Sequence, residues 1–191
     1  LSPMAYLNTP GTVGTYNAYT RTVVYAAYRN VDRLDLVLSR MTSGDVIRLT
    51  GPGSWQAWEN YQTPAQSEIR RWSVSVTNVL NQTSIWRLPL TDEAGNPLAP
   101  GIYYLTMTSP GFATWDISRH VLILSRVNLT IKAAANEVLV WATDLVSGQP
   151  VANQAITVFD SYGELLVSGS TGKDGLMPAS YDSDATALYA F

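Results

Sequence analysis

The sequence holds no cysteine and a single histidine in 191 residues. Without cysteine there is no disulfide, no thiolate metal site and no cysteine nucleophile. One histidine, His120, removes multi-histidine metal centres and narrows the choice of acid–base catalyst. Charge is scarce as well: Asp, Glu, Lys and Arg make up 14% of the chain and the net charge is −3, where roughly a quarter of residues is usual. Arg70-Arg71 is the only adjacent basic pair, so the electropositive footprint of a nucleic-acid binder is missing and no nucleic-acid partner is expected. No apolar run approaches the ~20 residues of a membrane helix, so no membrane contact is expected either. No signal peptide is legible. The chain opens mid-pattern at Leu1 and stops on Ala190-Phe191, as a piece of a longer protein would.

What fills the chain is β chemistry. Hydrophobic residues reach 46%, with 11 Tyr and 6 Trp, enough to build cores and to argue against disorder. Short runs alternate with a period of two. In 33–41, Leu34, Leu36 and Leu38 share one face; in 72–77, Trp72, Val74 and Val76 do; in 85–90, Trp86, Leu88 and Leu90 do. Further strands are predicted at 20–28, 102–108, 120–124, 128–133, 137–143, 155–159 and 165–168, separated by Gly, Pro, Asn and Asp turns. Residues 1–19 read as an extended lead-in with at most a short edge strand, 45–50 as a short strand, and 66–71 as a solvated connection. Ser54 is placed as the cap of a helical turn or two running to Tyr61. The fold class is all-β: tandem Ig-like or fibronectin-like antiparallel sandwiches. Ser125-Arg126-Val127 marks the boundary between a domain over 1–125 and another over 126–191, with a link short enough to restrict their freedom. The second is short beside the ~100 residues of a seven-stranded sandwich, so it is either compact or continues past Phe191.

Chemistry-bearing residues are sparse. His120 opens the apolar strand HVLIL and is expected as a partly exposed strand-end residue; no Gly-x-Ser-x-Gly elbow accompanies it. Asp160, Asp174, Asp182 and Asp184 lack the Asp-x-Asp-x-Asp-Gly frame of a calcium loop, and Asp174 before Gly175 is simply explained as a turn residue. The glutamates are scattered and propose no glycosidase pair. Trp55, Trp58, Tyr61, Trp72, Trp86 and Trp115 serve either a β core or a sugar-stacking platform. Trp55 and Trp58, three residues apart in a segment bounded by Gly and Pro, are the pair least explained by a strand core. No cofactor or metal is called for.

The stretch from Trp141 to Leu176 organises the chain. It runs strand, Thr143-Asp144-Leu145, Ser147-Gly148-Gln149-Pro150-Val151, strand, Asp160-x-x-Gly163, strand, Thr171-Gly172-Lys173-Asp174-Gly175. This order resembles the β-sandwich macroglobulin domains of the bacterial alpha-2-macroglobulins. The likeness covers 127–191 well and 20–124 more loosely, through Leu88-x-Leu90 and Pro100-Gly101-x-Tyr103. An echo of the same turn, Thr91-Asp92…Gly95-Asn96-Pro97, sits about fifty residues upstream of Thr143-Asp144…Gly148-Gln149-Pro150 and reads as shared turn chemistry rather than a repeat. The resemblance implies tandem macroglobulin-like domains acting as non-enzymatic scaffold in a broad-spectrum protease trap, periplasmic or at the cell surface. The implied partners are neighbouring domains of the same chain and, through the full-length protein, proteases. With no cysteine the family's Cys-Leu-Glu-Gln thioester cannot lie here, and no bait-like segment is visible. Gly148, Pro150, Gly163, Asp174 and Gly175 are then structural turn residues. The competing reading is a cell-surface adhesion or carbohydrate-binding module using Trp55 and Trp58; a weaker third is a domain appended to a secreted hydrolase.

Overall fold

The structure, a computed structural model, describes residues 1–191 except Ser183 and Thr186. The chain divides into two compact units, one formed by Leu1–Met41 with Gln62–Leu124 and the other by Thr42–Tyr61 with Ser125–Phe191.

The first unit is a two-layer sandwich. Strands β1 (Met4–Asn8), β3 (Val23–Arg29) and β6 (Ser84–Pro89) form one antiparallel sheet in the order β1-β3-β6. Strands β2 (Val13–Asn17), β4 (Arg33–Arg40), β5 (Glu68–Ser75), β7 (Gly101–Thr108) and β8 (Ser118–Ser125) form the other, in the order β2-β8-β7-β4-β5. Alternation decides which face is inside. Leu34, Leu36 and Leu38 of β4 are fully buried, and Leu36 stands opposite Met107 on one neighbour and Trp72 on the other. They meet Val24, Ala26 and Leu88 from the first sheet and Leu90 just past β6 in one cluster, each full burial of a Leu or Val side chain being worth about 1.5–3 kcal/mol.

The second unit carries six strands among the described residues: β9 (Val127–Ala133), β10 (Glu137–Asp144), β11 (Ala155–Asp160), β12 (Leu165–Ser170), β13 (Leu176–Ser180) and β14 (Leu188–Ala190). They pair antiparallel as β13-β10-β9 and β12-β11-β14. Val138 and Val140 of β10, Ile156 and Val158 of β11, and Met177 of β13 make its core. Two helices, α1 (Ser43–Thr50) and α2 (Ser54–Asn60), complete this unit.

Several local expectations change. Residues 45–50 are helical, not a strand. Thr42 Oγ1 accepts from the Asp45 N–H at 3.1 Å while Asp45 Oδ2 accepts from the Thr42 N–H at 3.0 Å, a capping box that satisfies two otherwise orphan donors. The helix then buries Val46, Ile47 and Leu49. Residues 42–61, assigned by sequence to the domain over 1–125, group with 125–191. Ser54 is the first residue of α2 rather than its cap; Gly53, at φ +73°, holds the cap position. Residues 68–71 are strand, because β5 is an edge strand of its sheet: Ile69 and Trp72 pack on the core while Arg71 and Glu68 pair outward at 2.6 Å, the polar dress typical of an edge. The lead-in 1–19 supplies two edge strands, β1 and β2.

Thr42→Ala removes one partner of the capping box and is expected to cost about 1 kcal/mol, read as a lower urea midpoint at unchanged m-value.

Candidate functional site

The turn residues singled out by sequence fall into two places. Gly163, at φ +87°, lies in the β11–β12 turn. There Asp160 Oδ1 accepts from the N–H groups of Tyr162 (2.9 Å) and Glu164 (2.8 Å). Gly175 and Val151, the residue after Pro150, bracket one strand residue, Ala142, and Thr171 and Asp174 tie the two segments that carry them. The Ala142 N–H donates to Gly175 O at 2.9 Å and its carbonyl accepts from Val151 N–H at 3.0 Å. Ala142 is fully buried, so both bonds are shielded from water and leaving either unmade would be costly. Pro150 bridges Thr143. Asp174 Oδ1 accepts from Leu176 N–H at 3.0 Å. Thr171, which is buried, donates its hydroxyl to Val151 O at 2.6 Å and accepts from Gln154 N–H at 2.9 Å. Gly175 has φ +75°, and a Cβ placed there would lie 2.6 Å from Ala142 O and 3.0 Å from Pro150 Cβ. Gly148 has φ +69° with open space around it.

The echoed turn repeats the device in the first unit. Asp92 Oδ1 accepts from Asn96 N–H at 2.8 Å and Thr91 bridges Pro97; Asp144 Oδ1 accepts from the Val146 and Ser147 N–H groups at 3.0 and 2.8 Å. Hydrogen bonds from the Asn96 side chain, then from its backbone, hold the Asp92 carboxyl below its usual range.

His120 is not a strand-end residue. It is the third residue of β8, on the core side with Leu122 and Leu124, and is 0% exposed. Its Nδ1 lies 2.9 Å from Gly11 O and its Nε2 2.7 Å from Tyr16 Oη. A neutral ring with Nδ1–H donating to the carbonyl and Nε2 accepting from the phenol satisfies both contacts. The Tyr16 ring packs edge-on against it, centroids 5.8 Å apart. Burial lowers the His120 pKa. Strand alternation from Leu122 and Leu124 back to position 120 was the signal for this burial.

The aromatic residues do not gather on one surface. Trp72 and Trp86 pack against the first core, and Arg70 stacks over Trp72 at 4.6 Å. Tyr61 is buried beneath Arg48. On α2, Trp55 is 64% exposed and Trp58 is half-buried. The shallow groove beside this helix is lined by Arg48, Pro52, Gly53, Gln56, Ala57 and Asn60, not by either tryptophan. Trp115, 81% exposed, belongs to the first unit. Among the described residues no three His, Asp or Glu side chains are grouped to hold a metal ion, and no helix is long and apolar enough to cross a membrane.

The two units therefore define a β-sandwich protein whose most elaborated polar geometry serves its turns. No protein-family model and no curated protein matches this sequence. Solved structures match its fold. Native alpha-2-macroglobulin from Escherichia coli spanning domains MG0-NIE-MG1 aligns over 100% of this chain and 61% of its own, at TM-score 0.73 and 14% identity. The same protein spanning NIE-MG1 aligns over 99% of this chain and 92% of its own, also at 0.73 and 14%. Salmonella alpha-2-macroglobulin reacted with methylamine aligns over 100% of this chain at 0.67 and 15%, and this chain spans only 11% of it. The likeness is one of fold.

Gly175→Ala meets both an unfavourable left-handed φ and a backbone oxygen, and should destabilise the second unit by about 3 kcal/mol; Gly148→Ala meets only the former, about 1 kcal/mol. Urea unfolding of the two variants ranks them, and equal losses would contradict the close packing at Ala142. For His120 the folded state disfavours protonation, so the unfolded chain takes up the proton first. Its contribution is complete above about pH 6.5 and is lost as pH falls toward the lowered folded value. The thermal midpoint should drop between pH 7.5 and 5.5, and His120→Phe should flatten that dependence.

Proposed function

We propose that this chain is a two-domain scaffold segment of an alpha-2-macroglobulin-type protease trap, exported to the periplasm or cell surface. The observation that carries this reading is the alignment with the NIE-MG1 structure, over nearly all of both chains. A single sandwich resembles many modules, but two consecutive units in matching order are far more specific than one. On this reading the unit containing 1–41 and 62–124 takes the place of NIE, the unit containing 125–191 takes that of MG1, and both are macroglobulin-like supports.

Mechanistically the segment does no bond chemistry. Its residues supply stiffness: two cores closed by alternating Leu, Val and Ile, and corners locked by Asp92, Asp144, Asp160 and Asp174. Such supports hold a bait segment and a capture site apart elsewhere in the full-length protein and pass on the rearrangement that follows bait cleavage. The partners are the adjacent domains and, through the whole molecule, proteases. Gly148, Pro150, Gly163, Asp174 and Gly175 act in this scheme only by shaping the turns.

The test uses the full-length protein that carries this chain. Mixed with trypsin, it should suppress cleavage of casein while trypsin still turns over a small peptide amide, because a trapped protease remains open to small substrates. The 191-residue chain alone should alter neither rate. Undiminished casein cleavage by the full-length mixture would sink the reading. Glycan binding by the chain that disappears in Trp55→Ala would replace it with the carbohydrate-module alternative.

A further inference from the structure

Gly51 closes α1 with φ −80° and ψ −169°, extended backbone open to any residue. Conformation does not call for glycine there; space does. A Cβ at Gly51 would lie 2.6 Å from the carbonyl oxygen of Ser161 and 2.9 Å from that of Ile47. Ser161 belongs to the β11–β12 turn that Asp160 locks through two backbone N–H groups, so its carbonyl has little freedom to retreat. One residue earlier, the hydroxyls of Thr50 and Tyr189 lie 3.1 Å apart in a hydrogen bond. Tyr189 is the middle residue of β14, whose neighbour Leu188 pairs with Asp160 in β11. The end of α1 thus touches two adjacent points at one end of the β12-β11-β14 sheet.

Connectivity makes this contact unusual. The helices are inserted between β4 and β5, which pair with each other in the first unit, yet residues 42–61 cluster with the second. Strand β14 has only three residues, and only one β-neighbour, β11, among the described residues. So short an edge strand has little pairing energy of its own.

We propose that residues 42–61 are a helical clasp, inserted in the first unit's hairpin, that docks through the end of α1 on the β11–β12 turn and on β14 and holds that strand in the second unit. The surface it occupies is the Ser161–Tyr189 corner, and its partner is this one segment of the same chain.

Hydrogen exchange of the full chain, followed by mass spectrometry, tests the clasp. Gly51→Ala should raise exchange about tenfold or more in 161–163 and 188–190, as local opening does, with β4 and β7 unchanged. Loss of protection throughout the second unit with the first intact would also support it. Faster exchange confined to 43–60, or no change anywhere, would overturn it. If Gly51→Ala unfolds both units, Tyr189→Phe decides. Removing the hydroxyl pair should then quicken exchange in 188–190 and at the end of α1, and unaltered exchange at both would overturn the clasp.

Discussion

The backbone N–H groups of a tight turn need acceptors held in one geometry, and in this protein an aspartate at the turn provides one again and again. Asp92, Asp144, Asp160 and Asp174 each accept from a main-chain donor two to four residues onward. With no disulfide to tie loops, strand order rests on turns that close in one geometry. The low charge content makes sense beside this: a sizeable share of the few carboxylates is committed to local backbone bonds rather than to ion pairs. Ala142 shows the arrangement at its densest. Its two backbone groups anchor the segment after Pro150 and the glycine after Asp174 at once.

How much of this was legible depended on whether the signal was local. Leu34, Leu36 and Leu38 announced a strand with one buried face because burial in a sheet follows a period of two. The Asp-Gly and Gly-x-Pro turns were legible for the same reason: their chemistry lies within five residues. The helix at 43–50 was not, because Val46, Ile47 and Leu49 form a run too short for either period to dominate, although Thr42-x-x-Asp45 carried a capping signature. Residues 66–71 look solvated in sequence since an edge strand shows its polar face to water. The membership of 42–61 in the second unit depends on contacts more than a hundred residues away, which no local pattern encodes.

The candidate site was legible in the same uneven way. The turn glycines and Pro150 could be picked out, but not that Gly175 and the residue after Pro150 meet at Ala142 while Gly163 serves a separate corner. His120 illustrates the opposite error. A lone histidine beside an apolar run looks like a boundary marker, yet its parity with Leu122 and Leu124 places it inside, where Tyr16 and the Gly11 carbonyl satisfy both ring nitrogens. A buried imidazole so fully engaged is occupied by packing and hydrogen bonding within the first unit.

The placement of α1 also sets an order of events during synthesis. Thr50 precedes its partner Tyr189 by 139 residues, so at typical translation rates the helix waits roughly 7–28 s for the corner it occupies. The hairpin of β4 and β5 can meanwhile close around it. The second unit is therefore assembled out of sequence order, its earliest-made piece settling only after Tyr189 has been synthesised.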